Sequence, residues 1–348
     1  QTFFIMKSLL KIFVFIAVSI FLTANVLHAQ SKITLSHLGV PTFYISLTDA
    51  LAAAANGDTL YLPGGTIQPS SDIIVNKSVH IVGAGHYPDS SAATGRTEVN
   101  VLRYLTGSGN GSLQGCSINS LYIGHASNQN ITGVSVTRCL VGTLRIGNDA
   151  VSTISNIMLA DNVLTGQLYI NSAYSGVTLH RNFMYLNNLN GFGKGLFISN
   201  NIIYVQYNNA LYNFVNCNFE NNIIVSTSTS NIQLDSQNCN FTNNLFIPTV
   251  SYWGSNTQQN SILNQTLANT FENAGTGFSY NSNYHLKPSS PGVNYGTDGT
   301  DVGIYGTISP YKEGAVPFNP HIVFKSISTE TTPEGILNVT ISVSAQER

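Results

Sequence analysis

Cys217-Asn-Phe-Glu-Asn-Asn222-Ile-Ile and Cys239-Asn-Phe-Thr-Asn-Asn244-Leu-Phe are near-copies of one eight-residue phrase. Three upstream segments share its form: Ile157-Met-Leu-Ala-Asp-Asn162-Val-Leu, Val177-Thr-Leu-His-Arg-Asn182-Phe-Met and Leu196-Phe-Ile-Ser-Asn-Asn201-Ile-Ile. Two more fit it loosely, Cys116-Ser-Ile-Asn-Ser-Leu121-Tyr-Ile and Val134-Ser-Val-Thr-Arg-Cys139-Leu-Val. The sixth position then forms a column at 121, 139, 162, 182, 201, 222 and 244, with gaps of 18, 23, 20, 19, 21 and 22 residues. Self-similarity at a period near 20 is the mark of a solenoid.

The first column reads Cys, Val, Ile, Val, Leu, Cys, Cys and the third reads Ile, Val, Leu, Leu, Ile, Phe, Phe, with mostly polar residues between them. Period-two alternation makes each segment a half-buried strand. The sixth column is Asn at Asn162, Asn182, Asn201, Asn222 and Asn244. An Asn tolerates a tight, near-left-handed bend, and stacked amides can hydrogen-bond from coil to coil, so these five are expected to form a structural ladder. A second strand follows in several coils, as in Leu144-Arg-Ile146, Leu168-Tyr-Ile170 and Ile232-Gln-Leu234. Paired helices need a longer repeat of about 34 residues and a 3.6 period, and the fixed leucines of a leucine-rich repeat are missing. The expected fold class is all-β: a single-stranded right-handed parallel β-helix.

Solenoid ends expose core and unpaired strand edges and need caps. Ser46-Leu-Thr-Asp49 opens an Ala-rich helix with a capping-box pattern, and Asn56-Gly57 ends it. Strands are expected at Thr59–Leu62, Ile73–Val75 and Val79–Val82. Asp49-Ala-Leu-Ala-Ala-Ala-Ala-Asn-Gly57-Asp58-Thr-Leu-Tyr-Leu-Pro-Gly64, with Val79-His-Ile-Val-Gly-Ala-Gly85, resembles the N-terminal cap and first coils of pectin-lyase-like β-helix proteins. Tyr284-His-Leu-Lys-Pro-Ser-Ser-Pro291 through Asp301-Val-Gly-Ile-Tyr-Gly306 is similar to the last coil of secreted bacterial members. The resemblance implies the fold and leaves function open, because the fold carries lyases, hydrolases, adhesins and inert scaffolds alike. Within residues 307 to 348, Ile322-Val-Phe324 and Ile336-Leu-Asn-Val-Thr-Ile-Ser-Val343 read as a small β appendage around Thr332-Pro-Glu-Gly335. The expected organisation is upstream residues and signal peptide at 1–29, the β-helix at 30–306 and the appendage at 307–348.

Residues 6 to 29 have the pattern of a secretory signal. Lys7 and Lys11 precede an apolar run from Leu9 to Leu22, and Ala29 stands at the cleavage position. An uncleaved anchor needs a longer span of roughly 20 residues. The expected location is therefore secreted, periplasmic or cell-surface, with no stable membrane span after cleavage. Only 9% of the residues are charged, against 43% hydrophobic, and the formal net charge is -2. With no basic block to neutralise phosphates, nucleic acid is not an expected partner. The four cysteines, Cys116, Cys139, Cys217 and Cys239, form no CxxC or Cys/His cluster, so no metal and no cofactor is expected. All four should be reduced, buried thiols; Cys217 and Cys239 share one column, and Cys116 and Cys139 fall in different columns and should not pair.

The Asn-Thr-Asp, Asp-Asp, Gly-His-Gly and Arg-Ile-Lys motifs of polygalacturonase-like hydrolases are absent. Asp149, Asp161, Glu220 and Asp235 are too scattered to resemble the acidic calcium cluster of pectate lyases, and Asp298 and Asp301 read as caps of a Gly-rich turn. One constellation remains. Column five reads Ser120, Arg138, Asp161, Arg181, Asn200, Asn221, Asn243, so Arg138, Asp161 and Arg181 should stack at about 4.8 Å beside His180 and Glu220. Such a row can bind an anionic sugar, with His180 as general base, or be a plain ion-pair ladder. Tyr169, Tyr185, Tyr204, Tyr207 and Tyr212 are candidate platforms for sugar rings; strand packing explains tyrosines equally well. The expected function is a non-catalytic module that binds a polysaccharide or cell-surface glycan, with a polysaccharide lyase or glycoside hydrolase acting on an acidic polymer as the alternative.

Overall fold

A computed structural model of the chain describes residues 32–67, 72–171, 175–186, 193–206, 209–228, 231–314 and 320–345. The expected signal segment and Tyr207 lie outside these residues. The fold is the all-β parallel solenoid expected from the repeat, with about nine turns.

The third column stacks in register through one long parallel sheet. Leu113 pairs with Val136, Val136 with Leu159, and the line continues through Leu179, Ile198, Phe219 and Phe241. All are buried, and the rings of Phe219 and Phe241 stack at 4.6 Å. A second parallel sheet follows the corner. Its strands include Thr97–Tyr104, Ser117–Ile123, Leu140–Ile146, Phe183–Leu186, Ile202–Val205, Ile223–Ser226 and Leu245–Ile247.

Between the sheets stands the asparagine ladder. The backbone N–H of Asn162 donates to Oδ1 of Asn182 at 3.0 Å, Asn182 to Asn201 at 2.7 Å, Asn201 to Asn222 at 2.9 Å, and Asn222 to Asn244 at 2.9 Å. Each side-chain Nδ2 donates to the same acceptor. All five residues are fully buried. The amides therefore satisfy each other and the orphaned N–H groups at a corner no ladder hydrogen bond can serve.

Two expectations about this corner are corrected. The left-handed bend sits one residue before the ladder, at Arg138, Asp161, Arg181, Asn200, Asn221 and Asn243, with φ between 51° and 58°. The ladder asparagines must keep their amides inward and in register, so the residue before them absorbs the turn. The second correction concerns Cys116. Ser117 pairs with Leu140, and Leu140 with Val163, which places Cys116 above Cys139 and Asn162 in the ladder column. Its coil turns at Gly115, φ 67°, not at Ser120. Cys116 and Cys139 thus share a column, as Cys217 and Cys239 do. All four are free and buried, and burial pushes the Cys139 thiol up to about 12.

The N-terminal cap contains the expected helix, Leu47–Ala53, with Ser46 Oγ accepting from the Asp49 N–H at 3.3 Å. Its last carbonyls are gathered by Lys77 Nζ, which donates to the carbonyl oxygens of Leu51, Ala52 and Ala54 at 3.0, 2.7 and 2.6 Å. An antiparallel hairpin, Ile33–His37 with Val40–Tyr44, adds to the Thr59–Tyr61 strand. Late in the chain, His321–Ile327 and Val339–Ser344 form the expected appendage, an exposed antiparallel pair.

Tyr284–Gly306 does not form a last coil. The parallel ladder ends near Thr257–Gln259, and the chain then doubles back along the solenoid. Asn243 Nδ2 donates to Tyr295 O at 2.7 Å, Asn221 exchanges two bonds with Thr297, and the Gly303 N–H donates to Asn221 O. Farther on, the Tyr311 hydroxyl meets that of Tyr87 at 3.0 Å. This return segment covers the outer face of the second sheet, where Phe183, Ile202, Tyr204 and Ile223 pack against Phe271, Tyr284, Val302 and Ile304. Both faces of those strands are buried.

Candidate functional site

The structure brings the charged row together and then encloses it. Arg181 Nε and Nη2 grip the two carboxylate oxygens of Asp161 at 2.7 and 3.1 Å, and Arg181 Nη1 meets His180 Nε2 at 2.9 Å. His180 Nδ1 lies 2.8 Å from Ser199 Oγ. Burial, reinforced by the Arg181 guanidinium, lowers the His180 pKa. Arg138 is 3% and Asp161 7% exposed, and burial lowers the Arg138 pKa against the pull of Asp161. Glu220 accepts from the Thr297 hydroxyl of the return segment. Asp298 and Asp301 accept turn hydrogen bonds from Thr300 and Asn294. The row therefore lies along the seam between coils and return segment, with little room for a polymer.

The tyrosines separate. Tyr204 is fully buried and donates to Gly275 O at 2.8 Å. Tyr185 is half-buried, its ring 6.4 Å from that of Tyr204. Tyr212 is 49% exposed. Tyr169 pairs with Arg145, which pairs with Tyr122, which pairs with Arg103. These four half-buried residues make an outward row of alternating Arg and Tyr across four coils. The Arg103 guanidinium lies 4.1 Å over the Tyr122 ring, a cation–π contact, and Asp72 holds it at 2.5 Å. His125 stacks on Tyr122 at 5.3 Å.

Close to this row in the same strands is a groove of ≈ 540 Å³ whose polar lining includes Thr66, Glu98, Asn100, Ser117, Asn119 and Thr165. It lies on early coils of the second sheet, ahead of the strands that the return segment covers. Asn119 Nδ2 donates to Asn100 Oδ1 at 3.1 Å, and Thr66 Oγ1 to Glu98 Oε2 at 3.1 Å. Arg96 neutralises Glu98 at 2.7 Å. The floor is kept low at Gly142, where an added Cβ would stand 2.7 Å from Asn119 O. The groove thus offers amides and hydroxyls beside the apolar side chains of Ile67, Val99, Ile118 and Leu140, with little net charge.

Sequence reasoning missed these residues because it placed Leu121 instead of Cys116 in the ladder column. With Cys116 in register with Cys139, Ser117, Asn119 and Tyr122 line up with Leu140, Gly142 and Arg145. Among the described residues there is no group of three His, Cys, Asp or Glu side chains that could hold a metal ion, and no helix is long and apolar enough to cross a membrane. No protein family matches the chain, and no curated protein matches it.

Proposed function

We propose that the protein is an exported, pectin-lyase-like β-helix that binds a glycan without cleaving it. The ligand lies across the early coils, in the groove of Asn100, Ser117 and Asn119, and contacts the Arg103–Tyr122–Arg145–Tyr169 row. The observation that carries this reading is the groove itself. Its polar groups come from successive coils, so the rigid repeat sets their spacing, and pre-set spacing lowers the ordering cost of binding. Its carboxylate is already matched by Arg96, and Arg103 by Asp72. Recognition then rests on hydroxyl and amide contacts and on ring stacking, which suits a glycan of low charge. The cap motif and the asparagine ladder support the pectin-lyase-like assignment, and the pattern of residues 6–29 supports export.

The test is a glycan array probed with residues 30–348, followed by incubation of each bound glycan with the protein and an assay for new reducing ends or unsaturated products. Retention of an intact glycan is the expected result. Release of products would replace the binding reading with an enzyme, and an array without hits would remove it.

A further inference from the structure

A second cavity, of ≈ 330 Å³, lies where the return segment meets the turn after His86. Its walls are aromatic. Tyr87 and Tyr280 stand with ring centroids 4.7 Å apart, Phe278 and Tyr280 5.0 Å apart, and both pairs meet edge to face. Tyr284, Tyr305 and Tyr311 complete the enclosure.

The tyrosine hydroxyls are already engaged. Tyr87 bonds Tyr311, Tyr280 donates to His86 O at 3.2 Å, Tyr284 donates to Gly277 O at 2.9 Å, and Tyr305 donates to Glu313 Oε1 at 3.4 Å. What these residues have left to offer a guest is mainly ring surface. Burial pushes the Tyr87 phenol up to about 12, so it stays neutral at ordinary pH. The charges on the lining are the carboxylates of Asp89 and Glu313, both reaching solvent; among the described lining residues there is no Lys or Arg, and the Arg96 guanidinium, outside the lining, is held by the Tyr280 hydroxyl and by Glu98. His285 flanks the site, stacked on Tyr305 at 3.7 Å and 3.5 Å from Glu313.

Aromatic surface is electron-rich on its face and attracts cations, most strongly when they are desolvated. Most of the tyrosine donors are committed, so the polar groups left beside the rings are chiefly the Ser90 and Ser282 hydroxyls and the two carboxylates. We propose that this cavity binds a small organic cation carrying a quaternary ammonium group, with the rings as walls and Asp89 and Glu313 drawing the charge inward. The site is separate from the glycan groove and does not depend on it.

Tetramethylammonium and choline, titrated by calorimetry into the full chain, are the probes, with 3,3-dimethylbutanol as the uncharged analogue of choline. The expected result is saturable binding of both cations, several-fold weaker or no binding of the alcohol, and several-fold weaker cation binding in Asp89→Asn and Glu313→Gln. Both carboxylates are exposed, so these variants should melt with the wild type; Tyr305→Leu, if it melts normally, should weaken binding further. Absence of cation binding, equal binding of the alcohol, or affinity unchanged in both carboxylate variants would overturn the proposal.

Discussion

The guanidinium of Arg181 holds the carboxylate of Asp161 through two bonds, and both residues occupy left-handed corners of successive coils. Bidentate geometry with little solvent makes this pair stronger than an ordinary surface bridge. Arg181→Ala leaves Asp161 enclosed without its partner. The expected cost is about 2–3 kcal/mol, somewhat below the roughly 3–5 kcal/mol of a fully buried pair. Chemical denaturation of the variant measures it. A change within about 0.5 kcal/mol, the usual range of surface substitutions, would show that the pair is solvated.

Asn201 accepts both the backbone N–H and the side chain of Asn182 and donates onward to Asn222. In Asn201→Leu the buried Asn182 N–H loses its acceptor, at a cost of roughly 1–3 kcal/mol. The melting temperature should drop while glycan affinity stays put. Loss of binding at an unchanged melting temperature would mean that the ladder faces the ligand.

Asn221 does two jobs. It adopts φ 56° at a corner and exchanges hydrogen bonds with Thr297 of the return segment. Asn221→Gly keeps the conformation and loses the bonds; Asn221→Ala loses both. The alanine variant should be the less stable by about 1–2 kcal/mol, the cost of a left-handed L-residue. Equal melts would place the corner strain elsewhere.

His86 is fully buried, its Nε2 lacks a hydrogen-bond partner among the described residues, and burial lowers its pKa from 6.5 to about 3. The folded pKa lies below the unfolded value, so the unfolded chain takes up the proton first. Stability is therefore complete above about pH 6.5 and falls by roughly 1.4 kcal/mol per unit as pH drops from there toward 3. Depressed carboxylates such as Asp149, held down by the Ser152 hydroxyl, act only below about 3.8. Melts of the wild type and His86→Gln between pH 7 and 4 separate the two. Parallel curves would exclude His86 as the source of the acid loss.

The repeat was legible because column identity in a solenoid is local: each coil carries its own alternation, and five of them carry their own ladder Asn. The frame failed at Cys116, where Cys replaces the ladder Asn and Gly115 replaces the corner residue, so neither marker was present. The return segment was not legible in the same way, since nothing in Tyr284–Gly306 repeats. A trace of it exists in Ile202-Ile203, Ile223-Ile224 and Leu245-Phe246, doublets that break period-two alternation because both faces of those strands are buried. The charged row was legible as a row; its enclosure depends on a segment distant in sequence, which meets the same column at Asn221 with Thr297 and Asn200 with Gly303, 76 and 103 residues apart.

The most direct test of the glycan-binding account compares affinities at the two rows. Asn119→Ala combined with Tyr122→Ala removes an amide and a ring from the groove side, whereas Arg138→Gln alters the enclosed row. Titrated with a glycan that the array retains, the groove variant should lose affinity by on the order of tenfold or more, equivalent to about 1.4 kcal/mol, and Arg138→Gln should bind as the wild type does. Full affinity in the groove variant, with loss in Arg138→Gln, would contradict the account.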